Sequence, residues 1–143
     1  MMRIYLDNCC YNRPFDDQTQ TKVLIETLAK LNIQQQMRDG VVEYVWSEVL
    51  DFEVGQSRFL DRKRQILPWA SGATVGVDLD EDIRARAREF EAVGIKPMDS
   101  LHLACAEAAD CDWFFTTDTG ILKKAKSVAS VRVANPIEFV GGV

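Results

Sequence analysis

Short apolar runs alternate along the chain with longer amphipathic segments, and this alternation predicts strands separated by helices. The first apolar run, residues 3–6, stops abruptly at Asp7 and Asn8. A loop rich in Asn, Pro and Asp is expected from there to Gln18. The predicted strands are residues 3–6, 41–46, 113–117 and 131–134, with a weak strand or a loop at residues 74–77.

Helices are predicted where apolar residues recur every three or four positions between capping residues. They span about residues 21–38, 47–67, 80–93, 97–109 and 120–126. In the first helix, Leu24, Leu28 and Leu31 mark the stripe expected to face inward. Ser47 is expected to cap the second helix, which Pro68 ends.

Short strands that are apolar on both faces are typical of a parallel sheet covered by helices on both sides. The sequence therefore predicts an α/β fold of three layers, α/β/α, around a mostly parallel sheet of four to five strands. No linker, repeat or low-complexity tract divides the chain, so residues 1–143 are expected to form one domain. In such sheets, ligands bind beyond the carboxyl ends of the strands.

The composition is that of a folded protein, with 47% hydrophobic and 27% charged residues among 143. No apolar run approaches the ~20 residues that cross a bilayer, and the N-terminus lacks the apolar core of a signal peptide. We therefore expect a cytoplasmic protein that has no membrane-spanning segment. The four cysteines lack the spacing of a zinc or redox centre and are expected to be reduced thiols.

The net charge of −5 runs against the basic surface on which nucleic-acid binding usually rests. The basic residues are nevertheless clustered, at positions 58, 62, 63 and 64 and at positions 123, 124 and 126. A bound cation would also offset negative charge where a polyanion has to lie. The net charge therefore does not exclude a nucleic-acid enzyme, since clustered basic residues and a bound metal would both favour a polyanion.

Three carboxylates stand where the predicted sheet would bring them together. Asp7 and Asp118 each end a predicted strand, and Asp99 lies in the first turn of a helix, where the dipole favours negative charge. Each alone is readily explained as a turn or cap residue. Together they would repel one another, and a hard cation such as Mg²⁺ or Mn²⁺, which prefers oxygen ligands, is the usual remedy.

The segments that carry these acids resemble the acidic motifs of PIN domains, in the same order and at the same spacing. They are Arg3-Ile-Tyr-Leu-Asp7, Met98-Asp-Ser-Leu-His-Leu-Ala104 and Phe115-Thr-Thr-Asp118. Ser47-Glu-Val-Leu-Asp-Phe-Glu-Val-Gly55 resembles the remaining motif, the Ser-to-Glu-Gly helix of VapC-like members. The resemblance covers nearly the whole chain. It implies a PIN-like fold and one metal site built from Asp7, Glu53, Asp99 and Asp118.

Two glutamates compete for the fourth position of this site. Glu48 and Glu53 lie five residues apart, so on a helix they point roughly 140° away from each other and cannot both face one crevice. The resemblance selects Glu53, which lies about six residues after Ser47 and shortly before Gly55. Glu48 is then expected to serve the helix dipole, and Asp51 is a weaker rival.

The resemblance also suggests supporting residues. Thr116 would hold a metal-bound carboxylate or a water, and Asn8 would touch metal or phosphate. Arg13, Lys123 and Lys124 are placed to bind phosphates of a nucleic acid. The lone histidine, His102, lies one helical turn after Asp99 and is expected to be structural rather than a catalytic base.

PIN domains of this kind are similar to the toxin halves of toxin–antitoxin pairs and cut RNA. The resemblance therefore implies an endoribonuclease that uses Mg²⁺ or Mn²⁺, leaves a 3′-hydroxyl and a 5′-phosphate, and has an antitoxin protein as a partner. A homodimer is also expected, with the apolar faces of helices 21–38 and 47–67 as a dimer or antitoxin surface. The alternative is a catalytically silent PIN-like scaffold that keeps the acidic pocket. A phosphatase with Asp7 as nucleophile is disfavoured, because Cys9 stands where such enzymes need a second Asp.

Overall fold

Five short strands pair in parallel in the computed structural model, which describes residues 1–139. The strands are β1 (Arg3–Leu6), β2 (Glu43–Ser47), β3 (Val75–Val77), β4 (Trp113–Phe115) and β5 (Arg132–Ala134), in the order β3-β2-β1-β4-β5. Ile4, Tyr5 and Leu6 are all fully buried. Because neighbouring residues of a strand point to opposite faces, the centre of the sheet is covered on both sides. The predicted α/β fold with a parallel sheet is confirmed.

Seven helices connect these strands. They are α1 (Asn8–Asn12), α2 (Thr21–Arg38), α3 (Glu48–Gly55), α4 (Leu60–Ile66), α5 (Glu81–Ala92), α6 (Pro97–Ala108) and α7 (Thr119–Ala125). Turns of 3-10 helix cover Arg13–Phe15, Leu67–Gly72 and Pro136–Phe139. Among residues 1–139, no helix combines the length and apolar character that crossing a membrane requires.

Two predicted connections differ from the structure. The expected helix 47–67 is two helices, because Gly55 weakens the end of α3 and the Ser57 hydroxyl accepts a hydrogen bond from the Phe59 backbone N–H. The expected loop after Asp7 begins as α1, which the Asp7 side chain caps through the backbone N–H of Asn8. The burial of Cys10 and Tyr11 holds this short helix against the core.

The inward stripe predicted for α2 is wrong. Leu24, Leu28 and Leu31 face outward, and Leu28 is 59% exposed. The buried face instead contains Glu26 and Lys30, together with Val23, Thr27, Ala29, Ile33, Gln34 and Met37. At ~100° per residue, Leu28 lies about 200° round the helix from Glu26, so the two faces are opposite.

The order of the strands determines where a ligand can bind. The chain moves from β1 through β2 to β3 on one side, then returns to β4 and β5 on the other. The direction of winding therefore changes between β1 and β4, which are hydrogen-bonded neighbours. In open parallel sheets the crevice at the carboxyl end of this switch point is the usual ligand site.

Candidate metal centre

Asp7 lies at the switch point, directly after β1, and only 5% of its surface is exposed. One carboxylate oxygen, Oδ1, accepts a hydrogen bond of 2.8 Å from the Asn8 backbone N–H. The other, Oδ2, accepts one of 2.9 Å from the Thr116 hydroxyl. The Cys9 thiol lies 3.4 Å from the same oxygen. These contacts hold the carboxylate in one orientation.

Thr116 connects the ends of β1 and β4. Its hydroxyl donates to Asp7 and accepts a 3.1 Å hydrogen bond from the backbone N–H of Asp118. The side chain is fully buried, so no water competes for either bond. The hydroxyl therefore sets the position of one acid and of the backbone that carries another.

Glu53 reaches the same crevice from α3. Its Oε1 is hydrogen-bonded to Nε2 of His102. Glu48 instead accepts a 2.8 Å hydrogen bond from the backbone N–H of Leu79, and Asp51 accepts one of 2.6 Å from the indole N–H of Trp46. Of the three acids on α3, Glu53 is the one that meets the centre.

His102 is fully buried and positions Glu53. Its Nδ1 lies 2.6 Å from the Tyr5 hydroxyl, which is also 2.6 Å from the hydroxyl of Ser47. Burial alone lowers the pKa of His102. The hydrogen bond to Glu53 and the negative charges of Asp7, Glu53 and Asp99 outweigh that effect, so its pKa is raised above the ordinary value. The acids around the imidazole therefore favour its protonated form when no cation is bound.

Asp99 lies in the first turn of α6, one turn before His102. Burial raises the pKa of Asp99 to about 6, and the negative charges of Asp7, Asp118 and Glu53 act in the same direction, while His102 opposes them. Asp99 is thus coupled to the other three acids. Its raised pKa reflects mainly burial and, after it, repulsion by the other acids, which a shared cation would relieve.

Asp118 caps α7 from the end of β4. Its Oδ1 accepts hydrogen bonds from the backbone N–H groups of Gly120, at 2.8 Å, and Ile121, at 3.2 Å. A Cβ at position 120 would lie 3.0 Å from this oxygen, so glycine leaves room for the cap. Asp118 and Asp99 border a cavity of about 240 Å³ that Lys96 and Lys124 also line.

The four acids expected from the sequence do not all lie in one close cluster. Ligand atoms of Asp7, Glu53 and His102 lie within 4.8 Å of one another, which makes this the one metal-ligand cluster found among residues 1–139. Asp99 and Asp118 stand outside that group but border the adjoining cavity. Carboxylates suit Mg²⁺ and Mn²⁺, and the mutual repulsion at Asp99 favours a cation, so the residues present fit a hard divalent ion.

The remaining expected residues lie in different surroundings. The side-chain oxygen of Asn8 accepts a hydrogen bond from Asn12. Arg13 forms ion pairs with Asp16 and the buried Glu26, each at 3.0 Å, so its charge is already compensated. Lys123 is exposed on α7, while the Lys124 ammonium donates to the Gly94 carbonyl at the rim of the cavity.

Sequence reasoning missed three residues that support the acids. Cys9 contacts Asp7, Tyr5 contacts His102, and Ser47 contacts Tyr5, yet Tyr5 and Cys9 carried no signal beyond lying within two residues of Asp7. Ser47 was expected only as a helix cap, and it does accept a 3.1 Å hydrogen bond from the Leu50 N–H. The period of two along a strand could have placed Tyr5 and Asp7 on one face.

Several solved structures share this fold. FitAcB from Neisseria gonorrhoeae has a similar structure, with a TM-score of 0.61 and 20% identity over 93% of this chain and 97% of that chain. VapBC-1 from nontypeable Haemophilus influenzae gives a TM-score of 0.60 and 12% identity over 94% and 98%. DNA-bound VapBC from Salmonella typhimurium gives 0.59 and 13% over 95% and 99%. These identities show a shared fold alone.

No curated protein matches the chain in sequence. A family model described as the PIN domain, however, matches residues 5–127, well over half of the chain. The matched segment contains all four acids of the centre. The chain therefore belongs to the PIN domain family.

Proposed function

We propose that the protein is an endoribonuclease that hydrolyses RNA phosphodiester bonds with the help of Mg²⁺ or Mn²⁺. One observation carries the proposal: ligand atoms of Asp7 and Glu53, from segments far apart in the sequence, lie within 4.8 Å of each other, and the charges of Asp7, Asp118 and Glu53 help to raise the pKa of Asp99. These proposed catalytic and metal-binding acids are Asp7, Glu53, Asp99 and Asp118. Membership of the PIN family, whose members are generally nucleases, supports the same reaction class.

The buried Asp7 and the half-buried Glu53, whose ligand atoms lie within 4.8 Å of each other, would hold the ion together with Asp99 and Asp118, which line the cavity. A bound divalent ion supplies a Lewis acid beside the scissile phosphate and compensates the charge that develops there. The protein's own part is to orient the acids. Thr116 fixes Asp7, while His102, through its contact with Glu53, fixes the acid that arrives from α3.

Hydrolysis requires that a water oxygen bonds to phosphorus while the bond from phosphorus to the 3′ oxygen breaks. The departing oxygen takes a proton and becomes a 3′-hydroxyl, and the other product is a 5′-phosphate. The cavity beside Asp99 and Asp118 is the space proposed for the phosphate. Lys96 and Lys124 line that cavity, and Lys123 lies on the same helix as Lys124, so this side carries positive charge toward a polyanion.

An antitoxin protein and a second copy of the chain are the proposed partners, acting in the cytoplasm. The outward leucines of α2 support a partner surface, because Leu24, Leu28 and Leu31 are each more than 40% exposed on one helix. Phe52, Phe59 and Leu60 of the α3–α4 region are also exposed. Mass measurement in solution tests the homodimer, and a strict monomer at high concentration would contradict it.

Cleavage of total RNA in the presence of Mn²⁺ tests the nuclease directly. We expect Asp7→Asn and Asp99→Asn to lower the rate by about 100-fold or more, since each removes an acid of the centre. Asp110→Asn is the matched control, because Asp110 is exposed and has a φ of 55°, which Asn tolerates. Unchanged cleavage in both site variants would contradict the assignment.

The alternative function is a catalytically silent scaffold. Metal binding alone does not distinguish it from the nuclease, so cleavage must be measured as well. Both functions predict that Mn²⁺ raises the melting temperature, because the ion binds the native state alone. The scaffold predicts no cleavage by the wild-type protein at any metal concentration. The nuclease predicts that cleavage rises over the same Mn²⁺ range as the melting temperature.

A further inference from the structure

A second cleft, of about 170 Å³, lies between α2 and the Leu67–Gly72 turn. None of the residues that line it belongs to the acidic centre. Its polar lining comes from α1, α2 and α4, and its apolar walls include Phe15, Leu31 and Trp69. No carboxylate from residues 1–139 lines this cleft, although two cations do, Lys30 and Arg38.

Lys30 is the most unusual group in the cleft. Only 5% of its surface is exposed, and the structure gives it no ion pair with any acid of residues 1–139. Its ammonium lies 5.9 Å from the centroid of the Tyr11 ring. Burial lowers the pKa of Lys30 to about 8. A buried ammonium without an anion is costly and is normally paired.

Two further donors in the cleft have no partner among the residues that the structure describes. The Tyr11 hydroxyl and the Gln34 side-chain nitrogen are buried and form no hydrogen bond. Buried polar groups are nearly always satisfied, so two orphans beside a lone ammonium indicate a missing acceptor. Glu26, four residues before Lys30 on the buried face of α2, already pairs with Arg13 and accepts a hydrogen bond from Asn135, and Asp16 pairs with Arg13 and Arg62.

The guanidinium of Arg38 completes the positive side of the cleft. It lies 4.9 Å from the ring centroid of Trp69, which leaves its N–H groups available at the edge of the cleft. Two cations and two unpaired donors around a small volume suit one anionic group with several acceptor oxygens. The apolar walls suit a short aliphatic stem attached to that group.

The cleft is continuous with the outward face of α2. Leu31 lines the cleft and is also the last of the exposed leucines, after Leu24 and Leu28. A protein segment packed on these leucines could therefore place one side chain in the cleft. We propose that the cleft binds the carboxylate of a glutamate or aspartate side chain on such a partner segment. That a partner protein supplies this carboxylate depends on the partner surface proposed above. The test below measures neither cleavage nor metal binding, so its failure is distinguishable from a failure of the proposed nuclease.

A charged and an uncharged small ligand of the same shape test whether the cleft binds a carboxylate, and this test does not require that the partner be identified. N-acetyl-glutamate N-methylamide is titrated into the ¹⁵N-labelled protein, with the glutamine compound as its uncharged counterpart. We expect saturable shifts of the Lys30, Gln34 and Trp69 signals at millimolar concentration with the glutamate compound, and at least tenfold weaker binding of the glutamine compound. Equal binding of the two compounds would overturn the proposal.

Lys30→Met supplies the variant, with Lys22→Met on the exposed side of the same helix as its control. We expect Lys30→Met to abolish the response and to melt at the same or a higher temperature, since it removes a buried unpaired charge. Lys22→Met should bind as the wild type does. A full response in Lys30→Met would overturn the proposal. Tighter saturable binding of inorganic phosphate or of a short RNA at these signals would overturn it too, in favour of a nucleic-acid contact.

Discussion

Three of the four proposed acids, Asp7, Glu53 and Asp118, are oriented by hydrogen bonds from neighbouring groups. Thr116 illustrates this role, because its buried hydroxyl joins the Asp7 carboxylate to the Asp118 backbone. Groups that orient metal ligands commonly change metal affinity or activity by about 10–100-fold when they are removed. The residue next to it, Thr117, is also buried but forms no side-chain contact with the acids.

Replacement of these two threonines gives a matched prediction. We expect Thr116→Val, which keeps the shape and removes the hydroxyl, to lower Mn²⁺ affinity and cleavage by about 10–100-fold. Thr117→Val should leave both within about twofold, since its hydroxyl orients no acid. Isothermal titration with Mn²⁺ and cleavage rates provide the measurement. Equal losses in the two variants would show that Thr116 acts only through packing.

The pKa of Asp99 predicts how the metal-free protein responds to pH. Its folded value of about 6 is raised above its ordinary value, 3.8, so the folded state binds the proton more tightly than the unfolded state. Asp99 therefore has no effect on stability below pH of about 4. It destabilises the fold progressively as the pH rises from about 4 to about 6, because burial and the neighbouring negative charges make ionisation less favourable in the folded state than in the unfolded state.

Urea unfolding with chelator present, at several pH values between about 4 and 8, checks this expectation. The Asp99→Asn variant should lose the fall in unfolding free energy that the wild type shows across that range. Asp82→Asn, an exposed acid on α5, serves as the control and should follow the wild type. Parallel curves for wild type and Asp99→Asn would contradict the coupling of Asp99 to the other acids.

At the level of single residues, the sequence indicated the acids of the site but not the side chains that position them. Asp7, Asp99 and Asp118 stand out because a carboxylate at a strand end or in a first helical turn has a recognisable position. The Tyr5 hydroxyl contacts both Ser47 and His102 only after β1, β2 and α6 pack together. Such contacts between distant segments leave no trace in the local pattern.

The phase of a single helix decides which acid of α3 serves the centre. Glu53 is hydrogen-bonded to His102, whereas Glu48 accepts from the Leu79 backbone on another side of the helix. The 140° separation expected at ~100° per residue is what keeps the two apart. Helix geometry alone could exclude one of the two, but which one depended on the resemblance to other PIN domains.

The two glutamates give a second matched pair. We expect Glu53→Gln to lower cleavage by about 10–100-fold, because it removes negative charge at the centre and alters the contact with His102. Glu48→Gln should cleave at the wild-type rate, since an amide oxygen can still accept from the Leu79 N–H. Initial rates at saturating Mn²⁺ are the measurement. The opposite order of the two variants would transfer the fourth acid to Glu48.

The α2 helix shows why the facing of an element can escape sequence reasoning. Leucines ordinarily mark the buried stripe, so Leu24, Leu28 and Leu31 predicted the wrong face. The buried face holds Glu26, which pairs with Arg13 and receives a 2.5 Å hydrogen bond from Asn135. Specific polar partners from two distant segments made that face the inner one. The leucines then remain outside, which favours a partner surface over a misplaced core.

For the whole molecule, the order β3-β2-β1-β4-β5 brings the acids together. Two of them follow neighbouring strands on either side of the point where the winding changes direction, and α3 and α6 bring the other two over that point. Structures with only 12–20% identity share this fold over nearly their whole length. Alternation of short apolar strands with helices was therefore enough to predict the architecture, because it depends on pattern rather than on particular residues.

The central claim is that these four acids form one site for divalent metal. Anomalous diffraction from a crystal containing Mn²⁺, at a concentration that saturates cleavage, tests it most directly. The account predicts a strong peak at roughly 2.1 Å from a carboxylate oxygen of Asp7 and of at least one of the other three acids. A crevice without a peak, in a crystal whose Mn²⁺ binds at other acidic residues, would contradict it.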